Sequence, residues 1–152
     1  MADPYALSGP LPGALQLPDG TWIRARSLRN QPPIGPDPHF GIYLGIDYQP
    51  VWEHIVVAWP DFWLPRDPAQ TARQLGRAYG LARSGHRVEI ACAGGVERTG
   101  TALAALAILA ILAGTQPDEA VPWVREVYHR HAVETPWQRR WVRRFPRLLD
   151  PE

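Results

Sequence analysis

The chain has 152 residues, of which 45% are hydrophobic, so it is long enough to form one domain with a buried core and no disulfide. Its single cysteine excludes an intramolecular disulfide and, as a free thiol, favours a cytoplasmic location. The net charge of +1 argues against a general nucleic-acid-binding protein, and the lack of a signal-peptide pattern or of ~20 consecutive apolar residues argues against secretion and a membrane span.

The N-terminal segment is predicted to contain an arm and a hairpin. Residues 1–13 are rich in proline, glycine and serine, so we expect a loose arm followed by a single domain over residues 14–152. Residues 15–17 and 21–26 alternate in polarity and flank Pro18-Asp19-Gly20. This pattern is typical of a β-hairpin.

The middle of the chain is predicted to form two strands and a helix. After a proline-rich loop over residues 31–38, residues 40–46 indicate a short strand interrupted by two glycines. Residues 55–59 are mostly β-branched and apolar, which is typical of a buried strand. A helix is expected from Asp67, with proline at the first helical position, to about Arg83.

A second strand-to-helix unit follows. Residues 88–91 indicate a buried strand, and a helix is expected to open around Arg98 and to reach about Ala113, where Gly114 ends it. This helix is apolar nearly all round. It is therefore expected to be the central helix of the domain, packed on several sides.

Two more helices are predicted at the C-terminal end. The first should run from residues 115–117 to about His131, with Pro122 requiring a late start or a kink. The second should begin at the capping-box pattern of residues 135–138 and reach about Arg147.

The last helix is expected to be amphipathic. Its inward-facing residues are predicted to be Trp137, Trp141, Val142 and Phe145. Its arginines are expected to form a basic outer face: Arg139, Arg140, Arg143, Arg144 and Arg147. That face is either simply solvated or attracts anionic substrates or an acidic partner.

The loop after residue 91 carries the clearest chemistry. Cys92 is followed by two glycines, by Arg98 six residues later, and then by Thr99 and Gly100. Backbone N–H groups of such a loop and the positive end of the following helix favour a bound anion such as phosphate. The same field favours the thiolate of a cysteine at its base, which is a nucleophile for phosphoryl transfer. The alternative is a buried structural cysteine in an ordinary turn.

A second stretch, Trp59-Pro60-Asp61-Phe62, lies upstream at the end of the preceding predicted strand. Attack of a thiolate on phosphorus expels an alkoxide or phenoxide, which a carboxylic acid within hydrogen-bond reach must protonate. Asp61 is the candidate for this acid. The alternative is a turn without a catalytic role, since these residue types suit a turn.

Cys92, five residues, and then Arg98-Thr99-Gly100, with the upstream Trp-Pro-Asp-Phe stretch, resemble the cysteine-based protein tyrosine phosphatases. The resemblance covers roughly residues 55–145, and the length is closer to small bacterial and dual-specificity members. It implies an α/β fold with a central mixed, mostly parallel sheet flanked by helices. It also implies a two-step reaction without a cofactor or metal.

The resemblance assigns roles to individual residues. Cys92 would attack phosphorus and become a phosphocysteine, while Arg98 clamps the phosphate oxygens. Asp61 would protonate the leaving group and then activate water, and Thr99 would donate a hydrogen bond to the sulfur. The residues expected to contact substrate are Ala93, Gly94, Gly95, Val96, Glu97, Phe62 and Gln138.

The chain also departs from the family pattern. Ala91 stands where the family usually has histidine, and Glu97 stands where a small residue is common, so its carboxylate is expected to point to solvent or to repel substrate. Trp63 replaces a glycine and either restricts closure of the acid loop or adds a wall to the pocket. In the segment that resembles the family's glutamine loop, Glu134 replaces the first glutamine and only Gln138 remains to position water.

The leading hypothesis is removal of phosphate from phosphotyrosine, extending to phosphoserine and phosphothreonine, on a phosphoprotein. One alternative is a phosphoinositide or other small phosphoester as substrate, with the same mechanism. The other is a catalytically silent phosphate-binding protein, against which the joint retention of Cys92, Arg98 and Asp61 argues. The five histidines show no metal-ligand spacing, so no metal is expected.

Overall fold

The computed structural model describes residues 9–110 and 117–149, which form five strands and four helices. In chain order these are β1 (Leu15–Gln16), β2 (Trp22–Ser27), β3 (Phe40–Leu44), β4 (Glu53–Val57), α1 (Pro68–Arg83), β5 (Val88–Cys92), α2 (Glu97–Ala110), α3 (Pro117–Val127) and α4 (Pro136–Leu149). The expected end of α2 near Ala113 and Gly114 lies outside the described residues.

The strands form one sheet in the order β1-β2-β5-β3-β4. β1 and β2 are the antiparallel hairpin expected from the sequence, and the remaining neighbours are parallel. Ser27 of β2 and Leu44 of β3 both lie beside Cys92 of β5 in the register. The carboxyl ends of three strands therefore meet at the cysteine, the edge at which open α/β sheets place their sites.

The helices flank this sheet and pack against one another. α1 contacts β2, β3 and β5, while α2 contacts β2 and β5 and also packs against α1, α3 and α4. All 14 residues of α2 are buried, which explains why it is apolar nearly all round. The prediction of a mixed, mostly parallel sheet flanked by helices is confirmed.

α1 begins as the sequence indicates. The side chain of Asp67 accepts a hydrogen bond from the backbone N–H of Gln70 at 3.1 Å, and Pro68 occupies the first helical position. α3 begins at Pro117, within the expected range, so Pro122 does not delay its start. The helix ends at Val127, however, instead of near His131.

The early end of α3 has a physical cause in the segment that follows it. The guanidinium of Arg125 donates to the backbone oxygens of Ala132 and Val133 at 2.9 and 2.8 Å, and Val133 adopts a positive φ of 59°. These contacts fold the chain back against the end of α3, so that the helix cannot continue.

α4 is amphipathic as expected, with one exception. Trp141, Val142 and Phe145 are buried, but Trp137 is 37% exposed and does not belong to the inward face. The indole Nε1 of Trp137 donates instead to the backbone oxygen of Phe62 at 2.7 Å. Four of the five arginines are exposed, and Arg139 is partly buried.

A buried charge cluster that the sequence did not predict lies within the sheet. The carboxylate of Glu89 is fully buried and accepts hydrogen bonds from Arg24 Nε at 2.8 Å, Arg26 Nε at 2.5 Å and the Tyr43 hydroxyl at 2.8 Å. Such partners offset the large cost of burying a charge.

Leu11, in the expected loose arm, is also buried, whereas residues 1–8 lie outside the described residues.

Candidate active site

A cavity of about 390 Å³ opens at the carboxyl edge of the sheet, above Cys92. It is lined by Arg29, Asp61, Phe62, Cys92, Gly94, Val96, Glu97, Arg98, His131 and Glu134. The structure thus brings together seven of the eleven site residues expected from the sequence. The other four do not line the cavity: Ala93, Gly95, Thr99 and Gln138. A larger cavity of about 510 Å³ lies elsewhere and shares no lining residue with this one.

Cys92 ends β5 and is buried, with 1% of its surface exposed. Its sulfur accepts hydrogen bonds from the backbone N–H of Gly95 at 3.2 Å and from the hydroxyl of Thr99 at 3.0 Å. Both partners donate, so the sulfur occupies the acceptor role that a thiolate fills.

The loop between β5 and α2 is held from both sides. Gly95 adopts a φ of +69°, and a Cβ at this position would lie 2.5 Å from the backbone nitrogen of Ser27, so no other residue fits there. The Ser27 hydroxyl donates to the backbone oxygen of Ala93 at 2.7 Å, and the Tyr128 hydroxyl donates to the backbone oxygen of Gly95. These contacts hold the backbone of the loop against β2 and against the segment after α3.

Arg98, in the first turn of α2, is 6% exposed and connects this loop to the acid loop, defined here as residues 58–66. Its Nη1 donates to the backbone oxygen of Trp59 at 3.1 Å, and its Nη2 lies 3.4 Å from Oδ1 of Asp61. A Cβ on Gly45 would overlap both Arg98 Nη1 and the Trp59 oxygen, and Gly45 has a φ of +73°. Gly45 is thus a supporting residue that sequence reasoning noted only as an interruption in a strand.

The acid loop carries exposed aromatic side chains beside the cavity. Phe62 and Trp63 are 51% and 54% exposed, and the Trp63 ring packs against Trp137 with centroids 5.2 Å apart. Trp63 does not line the cavity and so adds no wall to it. The backbone oxygen of Trp63 accepts a hydrogen bond from Trp59 Nε1 at 2.9 Å, which connects two residues within the acid loop.

Glu97 is buried, with 7% of its surface exposed, so the expectation that it points to solvent is wrong. Its Oε1 accepts from the backbone N–H of Phe62 at 3.3 Å and from Arg98 Nε at 3.1 Å, and its Oε2 accepts from Gln138 Nε2 at 2.7 Å. These partners come from three places: Phe62 from the acid loop, Arg98 from α2 and Gln138 from α4.

Asp61 and Glu97 are electrostatically linked through a hydrogen bond between their side chains. Burial, together with this bond, raises the pKa of Glu97 to about 7. The hydrogen bond from Glu97, together with the charge of Arg98, lowers the pKa of Asp61 below its usual value. At mildly acidic pH the pair therefore holds one proton, and Glu97 is the member that carries it.

Gln138 lies behind the acid loop and not in the cavity. Its Oε1 accepts from the backbone N–H of Thr135 at 3.1 Å while the Thr135 hydroxyl accepts from the backbone N–H of Gln138 at 3.1 Å, the capping box expected at the start of α4. Glu134, at the position of the family's first glutamine, lines the cavity and lies 3.6 Å from Nδ1 of His131.

Two cavity residues, Arg29 and His131, were not predicted from the sequence, and Glu134 was noted only as a departure from the glutamine-loop pattern. Arg29 follows β2, whose end lies beside Cys92, so the parallel register was the signal that could have found it. Within residues 9–110 and 117–149, no group of three histidine, cysteine or acidic side chains is arranged to hold a metal ion. None of the helices in that part of the chain is long and apolar enough to cross a membrane.

Solved structures match this chain, whereas no protein-family model and no curated protein does. The phosphatase Tk-PTP in its active form has a TM-score of 0.60 and is 27% identical, covering 72% of this chain and 78% of its own. Kinase associated phosphatase, with its catalytic-site cysteine replaced by serine, has a TM-score of 0.59 and 15% identity, covering 74% of this chain and 71% of its own. PTPMT1 has a TM-score of 0.51 and 18% identity, covering 70% and 74%.

The likeness to the last two structures concerns the fold alone, since the identities are low. The matches to Tk-PTP support a cysteine-based protein tyrosine phosphatase-like family for this chain, which confirms the resemblance stated from the sequence.

Proposed function

We propose that the protein is a phosphatase that hydrolyses phosphoric monoesters through a phosphocysteine intermediate. The observation that carries the proposal is the convergence of Cys92, Arg98 and Asp61 on one cavity, with two hydrogen-bond donors aimed at the sulfur. The structural likeness to tyrosine and dual-specificity phosphatases supports phosphatase activity.

The first step is attack of the Cys92 sulfur on phosphorus. The S–P bond forms as the P–O bond to the leaving group breaks. The leaving oxygen takes a proton from Asp61, to which Glu97 passes it across the hydrogen bond between the two side chains. Arg98 and the backbone N–H groups of the loop stabilise the negative charge on the transferring phosphoryl group. In the second step Asp61, now a carboxylate, takes a proton from water, which attacks phosphorus and releases inorganic phosphate and the thiolate.

Phosphotyrosine is the substrate that the surroundings of the cavity favour. Phe62 lines the cavity and is half exposed. The exposed Trp63 and Trp137 rings pack against each other on the acid loop and α4, and Trp137 donates a hydrogen bond to the backbone of Phe62. Aromatic surfaces of this kind bind a flat ring better than an alkyl chain. We extend the proposal to a cytoplasmic location, because a free thiol nucleophile needs a reducing compartment.

The test measures phosphate release from three substrates: a phosphotyrosine peptide, the same peptide with phosphoserine, and a soluble short-chain phosphoinositide. We expect phosphate release to be fastest from phosphotyrosine and absent from all three with Cys92→Ser. A faster reaction with the phosphoinositide would make the phosphoinositide the proposed substrate in place of phosphotyrosine. Binding without release in the wild-type protein would indicate a phosphate-binding protein.

A further inference from the structure

The acid loop is attached to the phosphate-binding loop by the side chain of Glu97. Glu97 Oε1 accepts from the Phe62 N–H at 3.3 Å and also from Arg98 Nε at 3.1 Å. One buried oxygen thus contacts both the backbone next to Asp61 and the arginine expected to bind phosphate.

Gln138 provides a second attachment. Its Oε1 is occupied by the backbone N–H of Thr135, which fixes the orientation of the amide and directs Nε2 toward the acid loop. Nε2 donates to the backbone oxygen of Trp63 at 3.1 Å and to Glu97 Oε2 at 2.7 Å. Phe62 and Trp63, the two residues after Asp61, are therefore both held by buried side chains.

The side chain of Asp61 makes two contacts, the hydrogen bond with Glu97 and an ion pair with Arg98. The Asp61 side chain is 63% exposed, and its contact with Arg98 is a 3.4 Å ion pair with a group that would also bind phosphate. Phe62 adopts a φ of +56°, a conformation that is strained for a residue other than glycine and persists only where surrounding contacts impose it. The position of Asp61 thus depends on the contacts made by its neighbours.

We propose that Glu97 and Gln138 are positioning residues that hold the acid loop over the phosphate-binding loop and keep Asp61 beside the leaving group. This inference rests on the proposed phosphatase function. It replaces the expected role of Gln138 in positioning water and gives Glu97 a function in place of the repulsion expected from the sequence.

Such a role makes a prediction about leaving groups. Protonation matters little for a leaving group that is stable as an anion, such as p-nitrophenolate, and matters greatly for a more basic one, such as phenolate. Glu97→Ala and Gln138→Ala should each reduce kcat on phenyl phosphate by about 10–100-fold, part of the roughly 10²–10⁴-fold that general acid catalysis supplies. On p-nitrophenyl phosphate the loss should stay within about 3-fold, with KM nearly unchanged on both substrates.

A double-mutant cycle separates positioning from a general effect on the fold. If Glu97 acts through Asp61, Glu97→Ala should cost little on phenyl phosphate once Asp61→Ala is present, because the acid is already absent. Glu97→Gln keeps a side-chain oxygen that can accept from Phe62 and Arg98, so it should lose less activity than Glu97→Ala. It should still lose some, because its new amide nitrogen would face Nε2 of Gln138, which is also a donor. Glu97→Gln can also be measured in place of Glu97→Ala if the alanine variant does not fold. Glu126→Ala and Gln70→Ala, at exposed positions of α3 and α1, are the matched controls.

The outcomes distinguish this inference from the proposed function. A wild-type protein no faster than Cys92→Ser on either substrate contradicts the proposed function and the inference with it. An active, Cys92-dependent wild type whose Glu97→Ala and Gln138→Ala variants lose activity equally on both substrates contradicts the inference alone. Independent losses for Asp61→Ala and Glu97→Ala in the cycle would contradict it in the same way.

Discussion

The hydroxyl of Thr99 lies 3.0 Å from the sulfur of Cys92, and both residues are buried beneath the cavity. A donor at this position stabilises negative charge on sulfur more strongly than it stabilises the neutral phosphocysteine sulfur. Thr99 should therefore help most in the second step, in which the thiolate is the leaving group.

Thr99→Ala should slow breakdown of the phosphocysteine by about 10–100-fold, because a hydrogen bond to a charged group contributes about 1.5–3 kcal/mol. Rapid-quench measurements with p-nitrophenyl phosphate should then show a burst of one nitrophenol per protein, followed by slow turnover. Thr99→Ser keeps the hydroxyl and should behave like the wild type. A Thr99→Ala variant that slows the burst and leaves the later phase unchanged would contradict this assignment.

Gly45, directly after β3, leaves room for the guanidinium of Arg98 because it has no side chain. Gly45→Ala would place a methyl group against Arg98 Nη1 and the Trp59 oxygen, at a φ of +73° that alanine rarely adopts. Because an error of about 1 Å in such a site can cost ~100-fold in rate, we expect a loss of that order in kcat/KM for p-nitrophenyl phosphate.

The matched control for Gly45→Ala is Gly80→Ala in α1, where a Cβ meets nothing within 4 Å. It should leave activity unchanged and stabilise the helix by about 0.5–1 kcal/mol in urea unfolding. Equal activity of the two alanine variants would show that the close approach at Gly45 has no functional consequence.

The raised pKa of Glu97 predicts a specific dependence of stability on pH. The folded protein binds the Glu97 proton more tightly than the unfolded chain, since its pKa rises from 4.5 to about 7. The contribution of Glu97 is thus fully present below about pH 4.5 and is lost as the pH rises through about 7, at no more than ~1.4 kcal/mol per pH unit. Urea unfolding at several pH values should show the wild type losing stability relative to Glu97→Gln across this window. A difference independent of pH would mean that folding does not raise the pKa of Glu97.

The buried cluster around Glu89 should be needed for stability. Glu89→Ala would leave Arg24, 2% exposed, buried without its carboxylate partner, which we expect to cost about 3–5 kcal/mol in urea unfolding. Glu53→Ala removes the carboxylate from the exposed pair with Arg77 and should cost no more than about 1 kcal/mol. Similar costs for the two variants would contradict the role assigned to the cluster.

Local signals predicted the elements well where the cause of the structure is local. Asp67 followed by proline starts α1, Thr135 and Gln138 form a capping box, and the apolar composition of α2 marks a helix buried on all sides. The mostly parallel sheet follows from alternating strands and helices, and it places the cysteine loop and the acid loop at one edge.

The environments of individual side chains were not predictable in the same way. Glu97 is buried because partners 35 and 41 residues away, Phe62 and Gln138, cover it, and no pattern near Glu97 encodes them. Trp137 belongs to the apolar stripe of α4 by spacing, yet it turns outward because the backbone oxygen of Phe62 is within reach. Both errors arise at contacts between the acid loop and the rest of the site.

The most direct measurement is the turnover of p-nitrophenyl phosphate by the wild type, Cys92→Ser and Asp61→Ala, at pH 5.5–7 with a chelator present. We expect chelator-resistant activity in the wild type, none in Cys92→Ser, and a loss in Asp61→Ala that becomes much larger when phenyl phosphate replaces the nitrophenyl ester. A wild type no faster than Cys92→Ser would contradict the central claim that this cysteine is the nucleophile of a phosphatase.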